Sequence, residues 1–433
     1  MTVLTKPPGS RLPRAGQLLR LMRDEPGLLR ELNARFGDVF QMKVERRPWN
    51  MLAHPDAIKQ VFKLPPDVLH AGDANEILRP ALGPNSILVL DEDEHMRQRK
   101  LLLPAFHGDR LQAQRDTMRR VAERQVQRFP VDRPFSLRPH TQAIALEVVV
   151  QVVLGVAPDD PRHDALQAPF LKFLDWLADP RNLFLPALLG PDRRLVQRLQ
   201  MRVRAPVDRE LYALIAERRA QHDLAERTDV LSMLVLARDE DDRPMSDEEI
   251  RDELFLLLVA GHETTATSLA WAYERLTRAP AALRRLEDEA RVEGSAYPEA
   301  VGKETLRVRP VLMNVLRVVK QPVEVAGHHF PVGAVLAPSI YLVQRRPELW
   351  GPDADEFRPE RWLEGEVPSY AWIPFGGSVW RCIGASFAQL EQEIVLRAIS
   401  GSVHLEAVGD EERPVARFIT ASPARGGEVR VAA

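Results

Sequence analysis

Cysteine is almost missing from this chain: its 433 residues hold one, Cys382. A single thiol excludes an internal disulfide, a four-cysteine iron–sulfur cluster and a multi-cysteine zinc site, and leaves one sulfur to explain. Net charge is also lacking. With 59 Lys and Arg against 62 Asp and Glu, the formal charge is −3, so nothing in the balance marks a nucleic-acid footprint or an acidic tail, and no nucleic-acid partner is expected. Long apolar runs are scarce too. Met1 to Arg23 carries prolines and arginines where a signal peptide would be apolar, and no stretch offers the roughly 20 apolar residues of a membrane span. Phe170 to Leu189 is the most apolar segment, but Lys172, Asp175, Asp179, Pro180 and Arg181 interrupt it, so it reads as a buried or ligand-facing helix. A soluble cytoplasmic protein without a membrane partner is expected.

No internal repeat, low-complexity tract or Gly/Ser linker is present, and the 35 prolines are scattered. One domain over residues 1–433 is the simplest reading, with a proline-containing arm over 1–25. Leu, Ala, Arg and Glu dominate from Gly16 to Arg291, with apolar residues spaced three and four apart, which predicts a mainly α protein. Short strands are predicted at Val39 to Val44, Trp49 to Ala53, Leu316 to Val319, Val323 to Val325 and Val335 to Ala337, enough for a small accessory β-sheet region. Four helices stand out. Asp91 is placed to cap one whose first turn holds Glu92, Asp93 and Glu94 and whose face carries His95 and Arg99, four apart. The others run from about Ser246 to Arg278, apolar in its middle; from Pro298 to Val308; and from just after Cys382 to Ala398.

Cys382 ends the segment Phe375-Gly376-Gly377-Ser378-Val379-Trp380-Arg381-Cys382, ahead of the last of these helices. A helix start lowers a thiol pKa and its N–H groups can bond sulfur, so the position suits a thiolate ligand for iron. Taken alone, a lone cysteine is more often a small buried hydrophobe. Glu304 and Arg307 lie three apart on a helix face, and Phe357-Arg358-Pro359-Glu360-Arg361-Trp362 supplies another arginine; alone, they read as surface ion pairing. Ala260-Gly261-His262-Glu263-Thr264-Thr265 follows the apolar Leu254 to Val259.

These four segments, in this order and at these distances, resemble the cytochrome P450 superfamily along nearly the whole chain. The resemblance implies a single helical domain with a small sheet region, a haem b cofactor and Cys382 as its axial thiolate. It implies that Glu304, Arg307 and Arg361 form a network that seats the haem, that Phe375 adjoins it, and that His95, Arg99 and Arg317 hold its propionates. Glu263 and Thr264 take the places of the acid and alcohol that deliver protons to bound dioxygen. Gly261 is expected to weaken the helix there and open room for dioxygen and water. The sequence departs from the pattern at Trp380, where His or Arg is usual, at Ser378, where Gly is usual, and at Gln344, where Asn or His is common. An indole in place of a guanidinium is expected to weaken haem retention on the order of tenfold relative to a Trp380→Arg variant.

The pocket walls implied are Leu256, Leu257, Ala260, Ile87 to Val89, Leu183 to Leu185 and Val311 to Met313, nearly all apolar, so a small apolar substrate and its hydroxylation are expected. Nothing in the chain is left over for a reductase. NAD(P)H would therefore act only through a separate ferredoxin or flavodoxin with its reductase, docking near Arg97, Lys100, Arg110 and Arg381 on what is expected to be a monomer. A peroxide-using peroxygenase and a non-catalytic homologue that stabilises a partner enzyme are the alternatives.

Overall fold

The computed structural model describes residues 6–45, 47–178, 194–417 and 419–432. Its longer helices are α1 (Arg14–Phe36), α2 (Glu92–Leu102), α3 (Arg115–Val126), α4 (Arg138–Val148), α5 (Arg162–Ala178), α6 (Arg194–Ala220), α7 (Asp247–Leu276), α8 (Tyr297–Val308) and α9 (Ala385–Ser400). The strands are β1 (Val39–Met42), β2 (Trp49–Leu52), β3 (Leu69–His70), β4 (Phe135–Ser136), β5 (Arg317–Val319), β6 (Val323–Val325), β7 (His328–Phe330), β8 (Val335–Pro338), β9 (Leu405–Ala407), β10 (Pro414–Arg417), β11 (Thr420–Pro423) and β12 (Glu428–Val431). The fold is mainly α, and the sheets are small.

Helix α7 is the hub. Ser246 caps it by accepting from the Glu249 N–H at 3.1 Å while the Glu249 carboxylate accepts from the Ser246 N–H at 2.7 Å, so each satisfies an orphan donor of the other's backbone. The apolar run that follows is buried on every side and packs against α4, α6, α8, α9 and β11. Phe255 meets Phe173 of α5 edge-on at 5.0 Å, and each such buried side chain contributes about 1.5–3 kcal/mol. Polar pins fix the register: Trp271 Nε1 donates to the Ala421 carbonyl at 2.7 Å, and the Tyr273 hydroxyl donates to the Leu396 carbonyl at 3.1 Å.

The five-stranded sheet has the order β1-β2-β8-β5-β3, with β2 and β8 parallel and the other neighbours antiparallel. Opposite Leu336 of β8, β5 carries Arg317 into the interior. The remaining strands form the pairs β6-β7 and β10-β11 and the trio β4-β12-β9.

Within the proline-containing stretch over 1–25, helix α1 begins at Arg14, after the early prolines, and kinks at Asp24, with Pro26 just beyond. Two expectations need correction. Asp91 occupies the N-cap position of α2, but its carboxylate does not cap. It accepts instead from the N–H groups of Gly72 at 2.8 Å and Asp73 at 2.9 Å, tying the β3 loop to the start of α2. Helix α7 runs unbroken through Gly261, where a β-carbon would lie 3.0 Å from Val149 Cγ2; the glycine permits a close approach and does not interrupt the helix. Among the described residues, no helix is long and apolar enough to cross a membrane.

Candidate functional site

Two residues ahead of Gly384, the N-cap of α9, Cys382 hangs its N–H on the Phe375 carbonyl at 2.9 Å, closing the loop between them. Its side chain is accessible, yet burial in the surrounding protein pushes the thiol pKa up, and the Gly384 N–H and the Arg381 and Arg99 guanidiniums pull it back down. Accessible and desolvated at once, the sulfur lines a recess, not the outer surface. Two residues of the loop adopt left-handed backbone: Gly376 at φ 68° and Ser378 at φ 65°. At Ser378 a side chain sits where glycine is favoured, which costs about 1–2 kcal/mol. Gly377 lies where any β-carbon would meet Phe62 at 2.3 Å.

Around this loop the structure gathers the cationic and donor residues expected from the sequence. The Trp380 ring lies 4.9 Å from the Arg317 guanidinium carbon and 5.9 Å from the His95 ring. Arg99 donates to the Arg381 carbonyl at 2.8 Å. Burial and the nearby Arg99 and Arg317 charges push the His95 pKa down to about 4, so the imidazole is neutral, and burial pushes Arg317 down to about 10. His95 Nδ1 and Trp380 Nε1 are buried and find no hydrogen-bond partner among the described residues. Among the described residues, the hydrogen-bond acceptors of Arg317 are the carbonyls of Leu316 at 2.8 Å and Gly377 at 3.4 Å. Buried polar atoms short of partners are places that a bound group would satisfy, and the Trp380 N–H with the Arg317 guanidinium beside it suits a carboxylate such as a haem propionate.

Below the loop, Glu304 and Arg307 of α8 are fully buried and joined twice, at 2.8 Å and 2.8 Å, with Arg361 adding a third contact to Glu304 at 3.0 Å. The Trp362 indole at 3.0 Å and the Arg358 N–H at 2.8 Å complete the carboxylate's shell. Arg307 spends its other donors on the carbonyls of Gln344, Ala354 and Glu356. A surface ion pair would do none of this. Gln344 acts as a hub: its amide nitrogen donates to Leu306 O at 2.8 Å and its amide oxygen accepts from Ile373 N at 3.0 Å, linking α8 to the cysteine loop.

On α7 the side chains are buried from Ile250 to Val259 and again from Thr265 to Glu274, but Ala260 is exposed and Gly261, Glu263 and Thr264 are half-buried. Ala260 and Thr264, one turn apart, open on one face, and the Thr264 hydroxyl donates to the Ala260 carbonyl at 2.6 Å. Glu263 points elsewhere. Its carboxylate pairs with Arg138 at 2.5 Å and accepts from Gln142 at 3.1 Å. Helix α7 meets α9, which follows the cysteine loop, at a contact in which Gln392 donates to Ser268.

Arg138 and Gln142 escaped the sequence reading because 125 and 121 residues separate them from Glu263, and no local pattern marks such a pair. Of the implied pocket walls, Ile87, Val89, Leu256, Leu257, Val311 and Met313 are buried; Leu183 to Leu185 lie outside the described residues. Of the four cations expected near a docking site, Arg97 is held by Asp239 at 2.7 Å and Glu249 at 2.5 Å and Lys100 by Glu240 at 2.7 Å, while Arg110 and Arg381 are exposed.

Comparison with known proteins gives a consistent result. Residues 7–412 match the family model described as Cytochrome P450. A Mycobacterium tuberculosis protein named cytochrome P450 135B1 is 40% identical over 438 residues, covering 99% of this chain and 91% of that protein. Another from the same organism, cytochrome P450 137, is 38% identical over 435 residues, covering 98% and 90%. Among solved structures, the retinoic acid-bound cyanobacterial CYP120A1 superposes with a TM-score of 0.85 at 25% identity, over 99% of each chain.

Proposed function

From the premise that the chain belongs to the cytochrome P450 family, we propose that it is a haem-thiolate monooxygenase that hydroxylates a small apolar substrate. The observation that carries this reading is the pair of buried, unpartnered nitrogens His95 Nδ1 and Trp380 Nε1, with the Arg317 guanidinium against the Trp380 ring, around the loop of the sole cysteine. When bound, a haem with a thiolate ligand activates dioxygen, because electron donation from sulfur favours O–O cleavage.

The chain's own residues have separable tasks. Cys382 supplies the sulfur, and the Gly384 N–H with the Arg99 and Arg381 charges stabilises its thiolate against the burial that opposes it. His95, Arg99, Arg317 and Trp380 hold the propionates, and Phe375 anchors the loop through its carbonyl. The Glu304, Arg307 and Arg361 network fixes α8 and the cysteine loop in one geometry. Thr264 holds a hydroxyl proton on the accessible face of α7 and passes it by turning from the Ala260 carbonyl. Glu263 resupplies that proton from the Arg138 side, where its ion pair must loosen at each turnover.

One oxygen atom goes to the substrate and the other leaves as water, with two electrons drawn from NAD(P)H through a reductase and a ferredoxin or flavodoxin. Leu256, Leu257, Ile87, Val89, Val311 and Met313 exclude water and select an apolar molecule. The binding of retinoic acid, a long apolar acid, by the similar cyanobacterial protein favours that class. The test is turnover of fatty acids, terpenoids and steroids under isotopically labelled dioxygen with a ferredoxin system. One labelled atom in the product supports the reading; product formed only with peroxide, and unlabelled, would replace it with a peroxygenase.

A further inference from the structure

Three tryptophans stand in a row behind the cysteine loop. The ring centres of Trp350 and Trp362 are 5.6 Å apart, those of Trp362 and Trp372 5.1 Å, and Trp372 meets Phe375 at 6.0 Å. Phe375 is the residue whose carbonyl takes the Cys382 N–H. The cluster has an apolar packing role, together with Ala354 and Ala371. Packing alone does not require three readily oxidised rings in contact, nor the asymmetry of their polar surroundings. Trp362 is half-buried and gives its indole N–H to the Glu304 carboxylate at 3.0 Å. A negative charge at the indole nitrogen makes that ring easier to oxidise and stabilises the resulting cation. Trp350 is buried beneath the Arg307 guanidinium, 5.0 Å from its ring centre, and a cation there makes oxidation harder. The Lys303 ammonium lies farther from Trp362, at 6.0 Å, and is paired with Glu299 at 2.6 Å.

We infer that Trp372 and Trp362 form a relay that carries oxidising equivalents from the haem region to the surface when no substrate consumes them, with Trp350 as an off-path neighbour. The inference rests on the haem-thiolate reading. Its oxidant is a peroxide acting on the bound haem, and its final reductant a solvent one-electron donor such as ascorbate or a thiol. One electron leaves the Trp372 indole towards the haem, Trp362 refills Trp372, and the donor refills Trp362, whose N–H proton stays on nitrogen against Glu304. Two such passages, with two protons from water, reduce the peroxide to two waters and leave every indole restored.

The experiment uses haem-loaded protein whose reduced, carbon monoxide-bound spectrum has first been shown to be of thiolate type, so that failure of the haem reading is seen separately. Parent, Trp362→Phe and Trp350→Phe proteins are mixed with hydrogen peroxide without substrate, frozen, and examined by electron paramagnetic resonance; oxidised tryptophans are then mapped by mass spectrometry, and haem bleaching is followed with and without ascorbate. The relay predicts a tryptophan radical in the parent and in Trp350→Phe, its loss in Trp362→Phe, oxidation mapped to Trp362, and protection by ascorbate that Trp362→Phe no longer receives. The same radical, or the same ascorbate protection, in Trp362→Phe as in the parent would overturn it. So would a radical lost equally in Trp350→Phe. Phenylalanine preserves ring packing at both positions, and thermal unfolding checks that each variant is folded.

Discussion

Replacing Trp380 by phenylalanine removes one N–H and keeps an aromatic face over Arg317, whose guanidinium carbon lies 4.9 Å from the ring. In haem-free protein that N–H is buried without an acceptor among the described residues, a deficit of about 1–3 kcal/mol. A propionate converts the deficit into a charge-assisted bond of about 1.5–3 kcal/mol. Phenylalanine has neither. Haem affinity in Trp380→Phe should therefore fall by about 1.5–3 kcal/mol, roughly ten- to hundredfold, while the haem-free variant melts no lower than the parent. Haem transfer to apomyoglobin measures the first quantity and thermal unfolding of haem-free protein the second. Unchanged haem loss, or a haem-free variant that melts lower, would refute the reasoning, because the indole would then act by packing alone. The geometry also revises the expectation for Trp380→Arg. A second guanidinium about 5 Å from Arg317 brings a repulsion of about 3 kcal/mol at an effective dielectric constant near 20, and the cation–π contact of about 0.5–2 kcal/mol is lost. These terms offset the gain from a charged fork, so Trp380→Arg should lose haem no more slowly than the parent.

Glu304→Gln should lower the stability measured by urea unfolding by about 3–5 kcal/mol, since it leaves the fully buried Arg307 without a carboxylate and Arg361 with Asp353 alone, at 3.3 Å; a loss under about 1 kcal/mol would mean the network is dispensable. Ser378→Gly should stabilise the protein by up to about 1 kcal/mol, because relief of the left-handed strain exceeds the extra freedom glycine gains when unfolded; a destabilised variant would show that the serine side chain has a compensating contact. Thr264→Ala should keep the thiolate spectrum while the ratio of product formed to NAD(P)H consumed drops, and an unchanged ratio would remove Thr264 from proton delivery.

Much of the site could be read from the sequence because it is built from local segments. The start of α7 near Ser246, the Glu304 and Arg307 spacing on α8 and the loop before α9 are each specified within a dozen residues, and the structure places them as expected. The five predicted strands all form, within one or two residues of their predicted ends. What escaped depends on distant partners. Gln344 read as a mild departure from pattern, and only folding reveals its bonds to α8 and Ile373. Asp91 had the right type for a cap, but the unsatisfied N–H groups of Gly72 and Asp73, brought close by β3, compete for its carboxylate and win. The chain-terminal strands β9 to β12 were missed because they are three or four residues long, with proline at one end of β10 and of β11, so little alternation develops. Their pairing comes from contacts with β4 and with one another.

The central claim, that Cys382 binds haem iron as a thiolate, has one direct measurement: the absorbance spectrum of purified haem-loaded protein, reduced and exposed to carbon monoxide. The account predicts the strongly red-shifted Soret band of a thiolate-bound haem in the parent and its disappearance in Cys382→Ala, since no other side chain in the chain can furnish a thiolate. A parent protein that binds haem without that band, or a Cys382→Ala variant that retains it, would contradict the account.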